Sequence, residues 1–159
     1  MSIERVRAYF ESCGIADRIR EFPVSSATVE LAAQALGVPG ARIAKSLSFK
    51  LGERVILVVC AGDAKVDNRK YKDIFGGKAS MLTHEEAVER IGHAVGGVCP
   101  FAVNPGVEVY LDDSMKRFET VFPAVGSSNS AIEMTMDELE RYSKALKWVN
   151  VCKGWEEEA

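Results

Sequence analysis

The 159-residue sequence predicts an α/β domain, with a curved, mixed, largely antiparallel sheet surrounded by helices. Three observations carry that prediction. Segments with the two-residue period of strands outnumber those with the helical period, and the two kinds follow one another in mixed order. Hydrophobic residues make up 47% of the chain, enough for one real core. No repeat, linker or low-complexity tract divides it, so residues 1–155 read as a single domain and 156–159 as a short acidic tail.

The elements follow in order. Ile3, Val6, Phe10 and Cys13 recur at helical spacing over 3–13, and Gly14 is a stop. A second helix fits 28–36, with Ser25, Ser26 or Thr28 near its start and Gly37 behind it. Val38-Pro39-Gly40 is a turn. The next run, Arg42 to Leu51, alternates: Ile43, Lys45, Leu47, Phe49 and Leu51 share one side, and Ala44, Ser46, Ser48 and Lys50 the other. Gly52-Glu53 joins it, as a hairpin, to the run Arg54 to Ala61. That second run is apolar on both faces and reads as a central strand.

Asp67 can cap a helix over 68–75, closed by Gly76-Gly77, and 79–82 is a short strand. Thr83 and Glu86 have capping-box spacing ahead of a helix over 84–91. Ala94-Val95 leads into Gly96-Gly97-Val98-Cys99-Pro100-Phe101. A Pro105-Gly106 turn precedes a strand over 107–111, and a helical turn fits 113–118. Strands are expected over 120–125 and 131–134, with the loop Gly126 to Ser130 between them. Thr135 with Glu138 repeats the capping box before a helix over 136–145, and a terminal strand covers 148–152. The tail Glu156-Glu157-Glu158 is expected to fray.

Composition excludes several classes. A net charge of −3 excludes a general polyanion binder. Contact with nucleic acid would be local, for example through Lys65, Arg69, Lys70, Lys72 and Lys78, although composition favours reading these as a solvated helix face and loop. No run approaches the roughly 18 apolar residues of a membrane span, and the opening Met-Ser-Ile-Glu-Arg-Val-Arg lacks the apolar stretch of a signal peptide. Cys13, Cys60, Cys99 and Cys152 are far apart, which suits reduced thiols in a cytoplasm better than a disulfide frame or zinc site. No membrane or DNA partner is expected. GxSxG, HExxH, Walker A and dinucleotide fingerprints are missing, and no cofactor is expected. His84 belongs on the surface of a first helical turn, and His93 follows a helix stop, where an imidazole can bond a terminal carbonyl.

Four features bear on chemistry. Lys45 falls on the apolar side of its strand; a lysine at a strand mouth commonly snorkels to water, and one beside a pocket holds an anion. Gly96-Gly97 and Pro100 form a loop that lets a ligand approach backbone, or an ordinary turn. Gly126-Ser127-Ser128 follows an apolar strand, where backbone N–H groups can face an oxygen or simply close a hairpin. Cys99 with His93 could form a nucleophile–base pair, although no third orienting group is evident and Cys99 also suits a tight loop as a small residue.

Taken together, the helical start, Leu36-Gly37-Val38 ahead of Ile43-Ala44-Lys45-Ser46-Leu47, the strand Val55 to Ala61, Gly62-Asp63, Val66-Asp67, Gly96 to Phe101, Val109-Tyr110-Leu111-Asp112 and Gly126 give an order and spacing that no single motif supplies. In these the chain resembles the YbaK family of aminoacyl-tRNA deacylases, related to the editing domain of bacterial prolyl-tRNA synthetases, over nearly its whole length. The resemblance implies a mixed sheet curved around a pocket with the lysine at its mouth. It also implies hydrolysis of the ester joining a wrong amino acid to the 3′ end of a tRNA, mischarged tRNA-Pro being one candidate. By position, Lys45 corresponds to the family's active-site lysine. Gly96, Gly97 and Pro100 correspond to its glycine-rich loop, and Gly126 and Ser127 to its third pocket segment. Lys45, Gly97 and Gly126 are then the expected catalytic groups, and Ser46, Gly96, Cys99, Pro100, Phe101 and Ser127 the expected substrate contacts. The partners implied are the acceptor end of a misacylated tRNA and, in some settings, a synthetase.

Two departures stand out. Cys99 replaces the serine or threonine of many relatives, and Ser127-Ser128-Asn129-Ser130 replaces glycine and basic residues. Both leave the amino acid removed undetermined. Two rival expectations are a binding module that uses the same pocket without catalysis and a thiol hydrolase built on Cys99.

Overall fold

The structure, a computed structural model, describes residues 2–93 and 96–155; Ala94-Val95 and the acidic tail at 156–159 lie outside the described residues. Five α-helices are described: α1 (Ser2–Cys13), α2 (Val29–Leu36), α3 (Asn68–Phe75), α4 (His84–Arg90) and α5 (Met136–Ser143). Local chemistry sets their starts. The Thr28 hydroxyl accepts from Leu31 N–H, and the Asp67 carboxylate accepts from Arg69 and Lys70 N–H. Thr83–Glu86 and Thr135–Glu138 both form complete capping boxes. Each cap satisfies backbone donors that a helix's first turn leaves orphaned.

The strands are β1 (Arg20–Glu21), β2 (Ile43–Leu51), β3 (Arg54–Ala61), β4 (Lys65–Val66), β5 (Glu108–Asp112), β6 (Thr120–Pro123), β7 (Ser130–Ala131), β8 (Met134–Thr135), β9 (Lys147–Val149) and β10 (Cys152–Lys153). Six of them form the main sheet in the order β8-β6-β2-β3-β5-β9. The hairpin β2–β3 runs in unbroken register from Ala44↔Ala61 to Leu51↔Arg54. β3 is central, and Val55 to Ala61 are all buried.

The sheet is mixed, as expected, but its balance differs from the largely antiparallel expectation. Three of the five pairings, β2–β6, β3–β5 and β5–β9, are parallel. A hairpin is written in adjacent residues, whereas a parallel pair needs a long crossover whose return point local patterning does not specify. The strand expected over 79–82 is a single bridge between Met81 and Phe49. The segment expected over 131–134 splits, β7 pairing with β1 and β8 with β6. The terminal strand also splits, because Val151 N–H turns to the buried Asp112 carboxylate while β10 leaves the main sheet for β4.

Both faces of the main sheet are covered. On one, Phe49, Tyr71, Phe75 and Tyr110 form a chain of ring contacts at 5.0, 4.7 and 4.9 Å. Phe10 and Phe101 meet edge-on at 4.9 Å, and both are fully buried. Burial of side chains of this size contributes about 1.5–3 kcal/mol each. The polar side of the alternating strand is therefore partly withdrawn from solvent: Ala44 and Ser48 are 4% and 8% exposed, while Ser46 and Lys50 stay partly exposed. Among the described residues no helix is long and apolar enough to cross a membrane.

Candidate functional site

The site begins with a gap beside β2. β6 pairs with β2 only at Ile43 and Ala44, and the Met81 bridge meets it at Phe49. Between these points, among the described residues, the β2 edge has no neighbouring strand, and a cavity of about 270 Å³ lies along it. An open edge explains why side chains from both sides of the pleat reach one cavity: Lys45 comes from one side, and Ala44, Ser46 and Ser48 from the other. The remaining wall is largely small or apolar, with Ala27, Ala124, Val98 and Phe122, together with the hydroxyls of Thr28 and Ser130. Lys45 and His84 are the titratable side chains among the described lining, which contains no carboxylate.

Lys45 is half-buried. Its Nζ donates to the Gly62 carbonyl at 3.4 Å, the long end of a hydrogen bond. The turn carrying that carbonyl is packed against Gly40; a Cβ on Gly62 would collide with the Gly40 oxygen.

The glycine loop lines the cavity through Gly96 and Val98 and is backed by the turn at 126–128. A Cβ on Gly97 would lie 2.6 Å from the Gly126 carbonyl carbon and 2.7 Å from Ser127 N, so only glycine permits this approach. Gly126 itself has φ +100°. A Cβ on Gly96 would press Ser128 and Ala27 at 3.2 and 3.3 Å. The 126–130 turn is held in place by Asn129, whose side-chain amide donates to the Phe22 carbonyl, and by Ser26 N–H, which donates to the Ser128 carbonyl. The Ser127 hydroxyl lies 2.5 Å from the Ser130 hydroxyl, which faces the cavity. Lys45, Ser46 and Gly96 thus line the cavity, with the contact between Gly97 and Gly126-Ser127 supporting it.

Cys99, Pro100 and Phe101 are placed elsewhere. Phe101 belongs to the core, and Pro100 lines a second cavity of about 330 Å³ near Tyr9 and Tyr142. Cys99 is fully buried, with its Sγ 3.6 Å from His93 Nε2 and 3.8 Å from the Phe101 carbonyl. The His93 Nε2 bonds the same carbonyl at 2.7 Å, so its partner is a loop carbonyl and not the helix-terminal carbonyl expected from sequence. Burial pushes the Cys99 thiol up to about 12, and burial also lowers the His93 imidazole. A thiol so disposed is not a nucleophile at neutral pH. Cys99→Ser is expected to keep at least half of any hydrolytic activity, and iodoacetamide to leave the native protein's activity unchanged, both measured in a deacylation assay.

Ser48, Thr28, His84 and Phe122 also line the cavity and were not singled out from sequence, and Ser130 lines it from the 127–130 departure. Ser48 read as a solvent-side residue, and the others come from segments that only the fold brings together. Of the lysine set considered for nucleic acid, Lys70 is engaged by the Cys152 carbonyl at 2.9 Å. Among the described residues no three His, Cys, Asp or Glu side chains are placed to hold a metal ion.

Similarities to known proteins bear on the family and the fold. The sequence profile of the aminoacyl-tRNA editing domain matches residues 24–142, which include every named residue lining the cavity beside β2. The Bacillus subtilis protein YwhH is 54% identical over 157 residues, 98% of this chain and 100% of that one. The proline–tRNA ligase of Bacillus subtilis is 33% identical over 90 residues, 56% of this chain and 16% of the ligase. A solved structure described as a candidate trans-editing enzyme for prolyl-tRNA synthetase superposes with a TM-score of 0.86 at 30% identity, covering 96% of this chain and 98% of that one.

Proposed function

The chain belongs to the aminoacyl-tRNA editing domain family, and from that premise we propose that it is a deacylase that cleaves the ester between a wrong amino acid and the 3′-terminal ribose of a tRNA. The observation that carries this is the cavity wall: one ammonium, the glycine loop entering at Gly96, and no carboxylate among the described lining. Such a wall suits a polyanionic ester substrate. A carboxylate there would repel the phosphates, and the ester, already activated, needs less base catalysis than an amide does.

Lys45 holds the phosphate or hydroxyls of the terminal adenosine and so fixes the ester. Backbone N–H groups of the Gly97 and Gly126 segments face the carbonyl oxygen as it gains charge. Water adds to the carbonyl carbon, assisted by the neighbouring ribose hydroxyl. The ester C–O bond then breaks, the ribose oxygen takes a proton, and the amino acid leaves. The hydroxyls of Thr28, Ser46 and Ser130 and the small apolar residues set which side chain fits. A missing methylene is worth only about 1–3 kcal/mol to a synthetase, which is why a second, hydrolytic sieve is useful.

The likeness to the prolyl ligase and to the trans-editing candidate supports mischarged tRNA-Pro as the first substrate to try, with action in trans and in the cytoplasm, where aminoacylation takes place. A panel of mischarged tRNAs incubated with the protein tests the reading, followed by release of the amino acid. Release from at least one, well above the spontaneous rate, is expected. Tight binding of the panel without release would replace the enzyme by a binding module.

A further inference from the structure

Lys45 can act on a substrate anion only if its charge is not already neutralised, and a carboxylate lies one residue from its docking carbonyl. Gly62 accepts the Lys45 ammonium, and Asp63 follows directly. Yet the carboxylate is turned to Arg117: Nη1 donates to Oδ2 at 3.0 Å and Nη2 to Oδ1 at 2.6 Å, so both oxygens are engaged. This is the two-pronged geometry in which arginine binds carboxylate most firmly. Arg117 is held ready by other groups. Its Nε donates to the Ser114 carbonyl at 2.8 Å, and its guanidinium lies over the rings of Phe118 and Trp155 at 4.8 and 5.2 Å. The pair is only partly exposed, at 25% and 33% of the side chains.

We propose that Arg117 is a positioning residue that acts on Lys45 through Asp63: by occupying both carboxylate oxygens it keeps Asp63 from pairing with Lys45 and leaves the lysine's charge free for the substrate. The carboxylate nonetheless feels the Lys45 charge; Arg117 first and Lys45 last hold it below the usual aspartate range. That ranking fits a carboxylate within electrostatic reach of Lys45 but committed elsewhere. Removing Arg117 releases Asp63 onto the ammonium, and neutralising Asp63 as well removes the competitor. The inference rests on the proposed role of Lys45, but its test needs no substrate.

The test is the rate at which acetic anhydride labels Lys45 at fixed pH in the full chain. It is read by peptide mass spectrometry and normalised to the exposed Lys147. A lysine captured by a carboxylate is labelled more slowly, so Arg117→Gln is expected to slow Lys45 roughly five-fold. The double variant Asp63→Asn/Arg117→Gln is expected to return to the wild-type rate. A purely structural role for Arg117 would leave the double variant as perturbed as the single one. Wild-type labelling in Arg117→Gln, or a double variant that stays slow, overturns the proposal. Asp63→Asn alone, with Arg117 intact, decides the matter even if the Arg117 variants fail to fold. A rate within two-fold of wild type is expected, and a rise of five-fold would mean that Asp63 already neutralises Lys45. If no mischarged tRNA is hydrolysed the deacylase reading fails, while these labelling rates still stand or fall independently.

Discussion

Lys45→Ala is expected to lower kcat/KM for deacylation of the best mischarged tRNA by about 10²–10³, the cost of removing one preorganised charge that meets a developing or fixed anion. The same substitution is expected to leave stability within about 0.5 kcal/mol of wild type. The lysine is half-buried and its hydrogen bond is long. The dissociation of the two effects matters more than either alone. Thermal melts and single-turnover deacylation on the same preparation measure both. Activity equal to wild type would remove Lys45 from the mechanism. An equal fall in activity and melting temperature would make it a structural lysine that snorkels to water.

Gly97→Ala is expected to lower activity by about 10²-fold for a different reason. The added methyl would sit 2.6–2.8 Å from Gly126 and Ser127 backbone atoms. Backbone cannot rotate away as a side-chain end can, so the loop or the turn must move. A displacement of about 1 Å at a reacting centre can cost about 10²-fold, and overpacking of this kind destabilises by about 1–3 kcal/mol. Here activity and stability fall together, in contrast to Lys45→Ala. Calorimetry with the deacylation assay checks the pair of outcomes. A fully active, equally stable Gly97→Ala protein would show that the contact between the two turns is not what shapes the cavity.

Much of the fold was legible because its signals are short-range. The Thr83 and Thr135 capping boxes, the Asp67 cap and the β2–β3 hairpin all lie within a few residues of chain, and all are present. The segments that divided differently, 79–82, 131–134 and 148–152, depend on partners far away. Ser130 pairs with Glu21, and Val151 bonds Asp112, contacts that no local window contains. Site residues divide in the same way. Lys45 violated its strand's alternation, and Gly96-Gly97 with Pro100 stood out once read in order with Lys45 and Gly126, so both could be singled out. Cys99 and Phe101 follow Gly97 within a few residues and shared its suspicion, yet both turn into the core beside His93 and Phe10. Ser48 was passed over because alternation assigns a polar side to water, and here both faces of the sheet are covered.

By itself, then, the sequence determined the helix caps, the central hairpin, one α/β core and the family resemblance, because hydrogen-bonding side chains and hydrophobic period act between residues close along the chain. The tertiary structure alone decided that β6 leaves β2 after Ala44, so that the open edge becomes a cavity; that Gly97 rests on Gly126; and that Arg117 reaches Asp63 beside the lysine's carbonyl. Those three facts depend on where segments tens of residues apart meet. Such meetings are set by packing of the whole core, which no stretch of sequence records on its own.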